Sequence, residues 1–162
     1  MVMTDWIRRT VLALCASLLA AVALPTVAQE RMRWSDIVLL DGRTLTAAEL
    51  ERSTVVVQMW ASWCPFCARQ NPHVQKLHEQ AGGKLLVLAL SIGKDAAVER
   101  DYLRQRGYTF AAAMAPAQST EWFGKRRSLP EVYVVQPGGR IVLREEGEMF
   151  AEDIQALLRF AK

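Results

Sequence analysis

Cysteine and histidine are scarce in this 162-residue chain, at 3 and 2 residues. Cys15 lies in an apolar N-terminal segment, so Cys64 and Cys67 are the only cysteines left to the body of the chain. The chain also lacks lysine-rich runs and basic residues interleaved with aromatics. With a net charge of only +3, this excludes a nucleic-acid-binding protein. No internal repeat, low-complexity tract or long linker interrupts it, which argues for one domain around one core. Nor is there an apolar run of the roughly 20 residues that a comfortable transmembrane span needs.

A shorter apolar run is present at the start. Arg8 and Arg9 precede apolar or small residues from Val11 to Leu24, and Pro25, Thr26, Val27 and Ala28 lead into polar Gln29 and Glu30. A basic start, an apolar run and small residues before a polar one describe a secretory signal peptide, residues 1–28, cut after Ala28. Left uncleaved, it would act as an N-terminal anchor. A lipid-modified Cys15 does not fit, because Leu14 precedes it and apolar residues follow. Residues 29–162 are then an exported domain, in the periplasm or an equivalent space, where disulfides persist.

Hydrophobic spacing lays out the elements of that domain. Ile37–Leu40 is a short apolar run ended by the turn pair Asp41-Gly42, and Thr46 to Glu49 matches a capping box that starts a short helix. Thr54–Trp60 and Lys84–Ser91 read as buried strands. Between them, Val74, Leu77 and Ala81 recur at helix spacing from Pro65 until Gly82-Gly83 stops the helix. Ala96–Arg106 is an amphipathic helix closed by Gly107, Phe110–Met114 a short strand, and Ser119–Phe123 a small helical piece. Val132–Val135 and Ile141–Leu143 flank a Pro137-Gly138-Gly139 turn, and Phe150–Phe160 closes the chain as a helix. The order β-α-β-α-β followed by β-β-α predicts an α/β domain with a central mixed sheet. Its alternating units are parallel, and the terminal hairpin supplies antiparallel edge strands.

The chemistry sits in Trp63-Cys64-Pro65-Phe66-Cys67, where a buried strand hands over to a helix. A structural bridge across so short a loop would remove little unfolded-state entropy, so the pair reads as redox-active rather than stapling. Residues three apart at a helix start are close enough to bridge. At the helix N-terminus, unpaired amides and the macrodipole favour a thiolate on Cys64. Cys67 lies one turn deeper and should keep the higher pKa. Cys64 therefore attacks and Cys67 resolves. The two thiols are their own redox group, and no cofactor is called for.

The stretch from Val55 to Cys67 resembles the active-site strand and loop of thioredoxin-like proteins. Among these it is most similar to the TlpA/ResA group of exported, often membrane-tethered thiol–disulfide oxidoreductases. The resemblance continues through Asp41-Gly42-Arg43, Leu129-Pro130, Val132–Val135, Gly138-Gly139-Arg140 and Gly147. It implies a thioredoxin fold with helices on both faces of the sheet and an N-terminal strand or hairpin extension. It also implies a cis Pro130 beside the disulfide, with Leu129 offering its backbone to a bound polypeptide. Trp63 would be partly exposed beside the centre; Trp60 would either flank it or simply fill the core. Expected partners are proteins with thiols or disulfides and a membrane electron-transfer protein that re-reduces the pair, the chain itself being a monomer. Modules of this kind serve cytochrome c maturation, general disulfide repair and metal-site assembly.

Two positions depart from that pattern. Thioredoxin carries a buried Asp where Gln58 stands, and TlpA-like proteins often carry Glu where Gln70 stands. A carboxylate there can take the proton of the deeper thiol. Glu131, directly after Pro130, is a candidate replacement, although its simpler reading is an exposed charge at a strand start. Phe66 brings no positive charge to Cys64, which favours a reductase- or isomerase-type donor over a disulfide oxidase. A metal-binding, copper-chaperone-like module is the rival class, since Cys64, Cys67, His73 and His78 form C-x2-C-x5-H-x4-H. That spacing is much tighter than a finger-type site, and His73 and His78 face different sides of one helix, so no metal is expected. Haem attachment fails because Ala68, not His, follows Cys67. A peroxiredoxin-type peroxidase would have Thr three residues before its reactive Cys, where this chain has Ala61.

Overall fold

The computed structural model describes residues 31–161. The segment read as an export signal, residues 1–28, lies outside them. Strands β1 (Ile37–Val38) and β2 (Thr44–Leu45) form a small antiparallel hairpin. Its turn is held by Asp41, whose carboxylate accepts from the Arg43 amide at 3.0 Å, and Gly42 supplies the positive φ of +88°. Helix α1 (Ala47–Arg52) begins with the expected capping box between Thr46 and Glu49.

The main sheet has strands β3 (Val55–Trp60), β4 (Leu86–Ser91), β5 (Ala111–Met114), β6 (Glu131–Gln136) and β7 (Arg140–Glu146), in spatial order β5-β4-β3-β6-β7. The β3–β4 and β4–β5 pairs are parallel, whereas β3–β6 and β6–β7 are antiparallel. Contrary to expectation, the terminal hairpin does not supply two edge strands: β6 lies inside the sheet, and the edges are β5 and β7. Val132–Val135 is buried throughout, as a strand covered on both faces must be.

Helices α2 (Pro65–Ala81) and α3 (Ala96–Arg106) connect the parallel strands, while α4 (Ser119–Phe123) leads towards β6. Helix α5 (Ala151–Ala156) is followed by a 3-10 turn, Leu157–Phe160, so the closing helix is shorter than its apolar spacing suggested. The two sheet faces have separate cores. Val56, Trp60, Val132 and Val134 pack with Val74 and Leu77 of α2, Leu103 of α3, and Ile154 and Leu157. Val55, Val57, Met59, Tyr133 and Val135 pack with Leu50 of α1, Trp122 and Phe123 of α4, and Trp34 and Ile37. Alternation along β3 and β6 therefore decides which side chains meet the active-site helix.

Candidate active site

Strand β3 delivers the chain to Trp60, and a tight turn follows in which the Cys64 amide donates to the Ala61 carbonyl at 3.1 Å. Cys64 is the N-cap of α2, and Pro65 occupies the first turn, where no amide hydrogen is missed. The Cys67 amide donates to Cys64 Sγ at 3.2 Å, so the cap's sulfur takes the place of a capping oxygen. Both thiols are free. Cys64 is 3% exposed and Cys67 fully buried. Burial pushes the Cys67 thiol well up, a hydrogen bond with Cys64 adds to this, and the Ala61 backbone works against it.

Gln58 and Gln70 form one buried network with Asn71 on the α2 side of β3. Gln70 Nε2 donates to Gln58 Oε1 at 2.9 Å, and Gln58 Nε2 donates to Asn71 Oδ1 at 2.6 Å. Gln70 Oε1 in turn accepts from the Met149 amide at 2.6 Å. Cys67, Gln70 and Asn71 share the buried face of α2 by their i, i+3, i+4 spacing. Cys67 itself lies in the apolar core, and the polar groups next to it on that helix face are uncharged. Among the described residues Asn71 Nδ2 finds no partner, so the network has one spare donor.

The rim of the centre is apolar. Trp63 is 65% exposed and Phe66 about half exposed, whereas Trp60 is fully buried against Tyr102. Phe66 brings no charge of its own, but a cation stands over it. The Arg69 guanidinium lies 4.7 Å above its ring and is held there by Glu148 through bonds of 2.8 and 2.6 Å. Glu148 raises the pKa of Arg69, with a smaller contribution from Cys64, and Arg69 holds the Glu148 carboxyl below the usual range.

The Leu129–Pro130 peptide is cis. Met59 is registered with Glu131, which places Pro130 beside the end of β3, at the level where the active-site turn begins. Leu129 packs against both cores, and the Pro130 carbonyl accepts from the Gly147 amide at 2.8 Å. Glu131 meets neither expectation. It is buried rather than exposed, and it has the sheet parity of Tyr133 and Val135, opposite to the α2 face. Its carboxylate accepts from Tyr133 Oη at 2.7 Å and from the Arg127 amide at 3.0 Å. It is thus on the wrong face of the sheet to serve Cys67.

No signal in the residue pattern pointed to Glu99. It stands on α3, yet is buried, with both carboxylate oxygens bonded to Ser62. Nothing local distinguishes it from the solvated charges around it in Glu99-Arg100-Asp101. His73 and His78 are both half-buried on α2. Among the described residues, no group of three or more His, Cys, Asp or Glu side chains is placed to hold a metal ion.

A family model described as Redoxin matches residues 21–158. The thiol-disulfide oxidoreductase ResA of Bacillus thuringiensis is 22% identical over 121 residues, covering 74% of this chain and 70% of the relative. A thiol:disulfide interchange protein of the thioredoxin family from Chlorobium tepidum superposes with a TM-score of 0.71 at 17% identity, over 82% of this chain and 97% of that one. A secreted Mycobacterium tuberculosis disulfide oxidoreductase, homologous to E. coli DsbE, gives 0.67 at 14% identity, over 77% and 94%. These superpositions identify the five-stranded mixed sheet, its helices and its N-terminal hairpin as a thioredoxin-like fold.

Proposed function

Because the chain belongs to the Redoxin family, we propose that it is an exported thiol–disulfide oxidoreductase that donates electrons to protein disulfides through Cys64 and Cys67. The observation that carries this reading is the amide of Cys67 donating to Cys64 Sγ at 3.2 Å, at the start of a 17-residue helix. One sulfur is thereby held at the helix start with an amide donor on it, while the other is kept protonated by burial until it is needed.

The exchange proceeds in two balanced steps. The Cys64 thiolate attacks a substrate disulfide, forming a mixed disulfide and expelling one substrate thiolate. Cys67 then loses its proton and attacks the Cys64 sulfur. The Cys64–Cys67 disulfide forms and the second substrate thiolate leaves. Two electrons have passed to the substrate, and an external dithiol donor must return them; a membrane electron-transfer protein suits an exported chain. Exposed Trp63 and Phe66 and half-buried Leu129 would meet a substrate polypeptide, while Pro130 is buried.

The neutral Gln58–Gln70–Asn71 network supplies no base, so the proton of Cys67 goes to solvent and resolution is the slower step. The N-terminal pattern of residues 1–28 supports export to the periplasm, and a secreted relative agrees with it. Trapping tests the reading directly: a Cys67→Ser variant should accumulate mixed disulfides with extracytoplasmic proteins, and a Cys64→Ser variant should form none. Equal trapping by both variants would sink it.

A further inference from the structure

We infer that Glu99 is a positioning residue of the redox centre, fixing the turn that presents Cys64 through two hydrogen bonds to Ser62. Glu99 is 1% exposed. Its Oε2 accepts from the Ser62 amide at 2.9 Å and its Oε1 from Ser62 Oγ at 2.7 Å. A buried carboxylate is costly unless its oxygens are satisfied, and here both hydrogen bonds come from one residue, two positions before Cys64. The backbone also makes room for this group. A Cβ on Gly93 would fall 2.0 Å from Glu99 Oε1, so only glycine leaves space for the carboxylate.

What Glu99 holds is the geometry of the attacking sulfur. Ser62 lies between Ala61, whose carbonyl receives the Cys64 amide, and Cys64, whose Sγ receives the Cys67 amide. Anchoring Ser62 to α3 keeps that turn closed and the sulfur over the helix start. One turn along α3, Tyr102 packs on Trp60 with ring centroids 5.6 Å apart, so the same helix braces the start and the middle of the turn. Charged or titratable groups near this turn are Asp101 and Tyr102 from α3, which line a cleft with Ser62 and Trp63, Cys67 and Arg69 from α2, and Glu148 after β7. Glu99 bonds to neither sulfur and acts through the loop. The inference rests on Cys64 being the attacking thiol.

Three variants of the full chain separate geometry from charge. Glu99→Gln preserves both contacts: its carboxamide oxygen accepts from the Ser62 amide and its NH2 donates to Ser62 Oγ. Glu99→Ala loses both, and Ser62→Ala loses one. The readout is the rate of Cys64 alkylation by iodoacetamide at neutral pH, resolved from Cys67 by peptide mass, with far-UV circular dichroism to verify folding. Glu99→Ala should slow alkylation at neutral pH about tenfold, because a displaced sulfur loses its amide donor. Ser62→Ala should fall between, and Glu99→Gln should stay within about twofold of the parent protein. A folded Glu99→Ala at the parental rate overturns the inference, as does Glu99→Gln being as impaired as Glu99→Ala. Should Glu99→Ala not fold, a Ser62→Ala indistinguishable from the parent overturns it equally. A parent protein in which Cys64 reacts no faster than Cys67 overturns the assignment of Cys64 as nucleophile, a distinct failure that removes the basis for the inference.

Discussion

Replacing Gln70 by Glu puts a carboxylate one helical turn from Cys67, and the surrounding amides determine how well the charge is tolerated. In the parent protein Gln70 donates to Gln58 and accepts from the Met149 amide. A glutamate oxygen facing Gln58 Oε1 would repel it. The repulsion is relieved if Gln58 and Asn71 both turn their amides over. Gln58 Nε2 then donates to the new carboxylate, and the spare Asn71 Nδ2 gains Gln58 Oε1 as its acceptor. Two donors would thus serve the charge, each worth about 1.5–3 kcal/mol. They stand against a burial penalty of several kcal/mol. The balance is a loss of about 1–3 kcal/mol in stability, or a fall in Tm on the order of 5–10 °C.

The gain is kinetic. Side chains three apart on a helix lie about 5–6 Å apart at Cβ, within reach of a proton directly or through one water. A positioned base typically contributes about 10²–10⁴-fold, and an imperfectly placed one at position 70 should still speed resolution about tenfold at neutral pH. Stopped-flow mixing of the reduced protein with an aromatic disulfide measures it, since attack by Cys64 releases one coloured thiolate and resolution by Cys67 a second. Burial raises the Cys67 thiol, so the second phase of the parent protein should steepen about tenfold per pH unit across the neutral range. In the variant that dependence should flatten. A folded Gln70→Glu protein with an unchanged second phase would refute the claim that resolution is limited by the missing base.

Three further perturbations probe neighbouring contacts. Gly93→Ala should behave like Glu99→Ala in Cys64 reactivity and lose about 1–3 kcal/mol in chemical denaturation, because its Cβ would displace the Glu99 carboxylate. Thr46→Ala, which breaks the capping box of α1, should cost about 1 kcal/mol in the same assay and leave thiol chemistry unchanged. Arg69→Ala removes the partner that depresses the Glu148 pKa. The stabilisation from that pair is therefore present above the ordinary carboxylate range and disappears as pH falls through the depressed value. Melting curves of parent and variant should converge at low pH, and a gap that persists there would contradict this.

The features legible in the sequence were those set by local rules. The Asp41-Gly42 turn, the Thr46–Glu49 box, and the strand–turn–helix around Cys64 and Cys67 each depend on neighbours within a few positions. What escaped detection depended on contacts far apart in the chain. Glu99 reads as one charge among several on a polar helix until Ser62, 37 residues away, is brought to it. Gln58 and Gln70 stood out as departures from the family pattern, but Asn71 did not, and only folding joins the three. Glu131 shows a different limit. On a strand buried on both faces, the alternation of polar and apolar residues is lost, so the register that sends Glu131 away from Cys67 leaves no trace in the residue pattern.

The central claim is that Cys64 and Cys67 form one dithiol–disulfide couple that gives electrons away. Its most direct test is the reduction potential of that couple, measured by equilibration with glutathione and quantified by thiol alkylation. The expected value lies between about −270 and −200 mV, with both cysteines oxidised and reduced together. A value near −120 mV would make the protein a disulfide oxidase, and failure of the two cysteines to bridge would contradict the claim altogether.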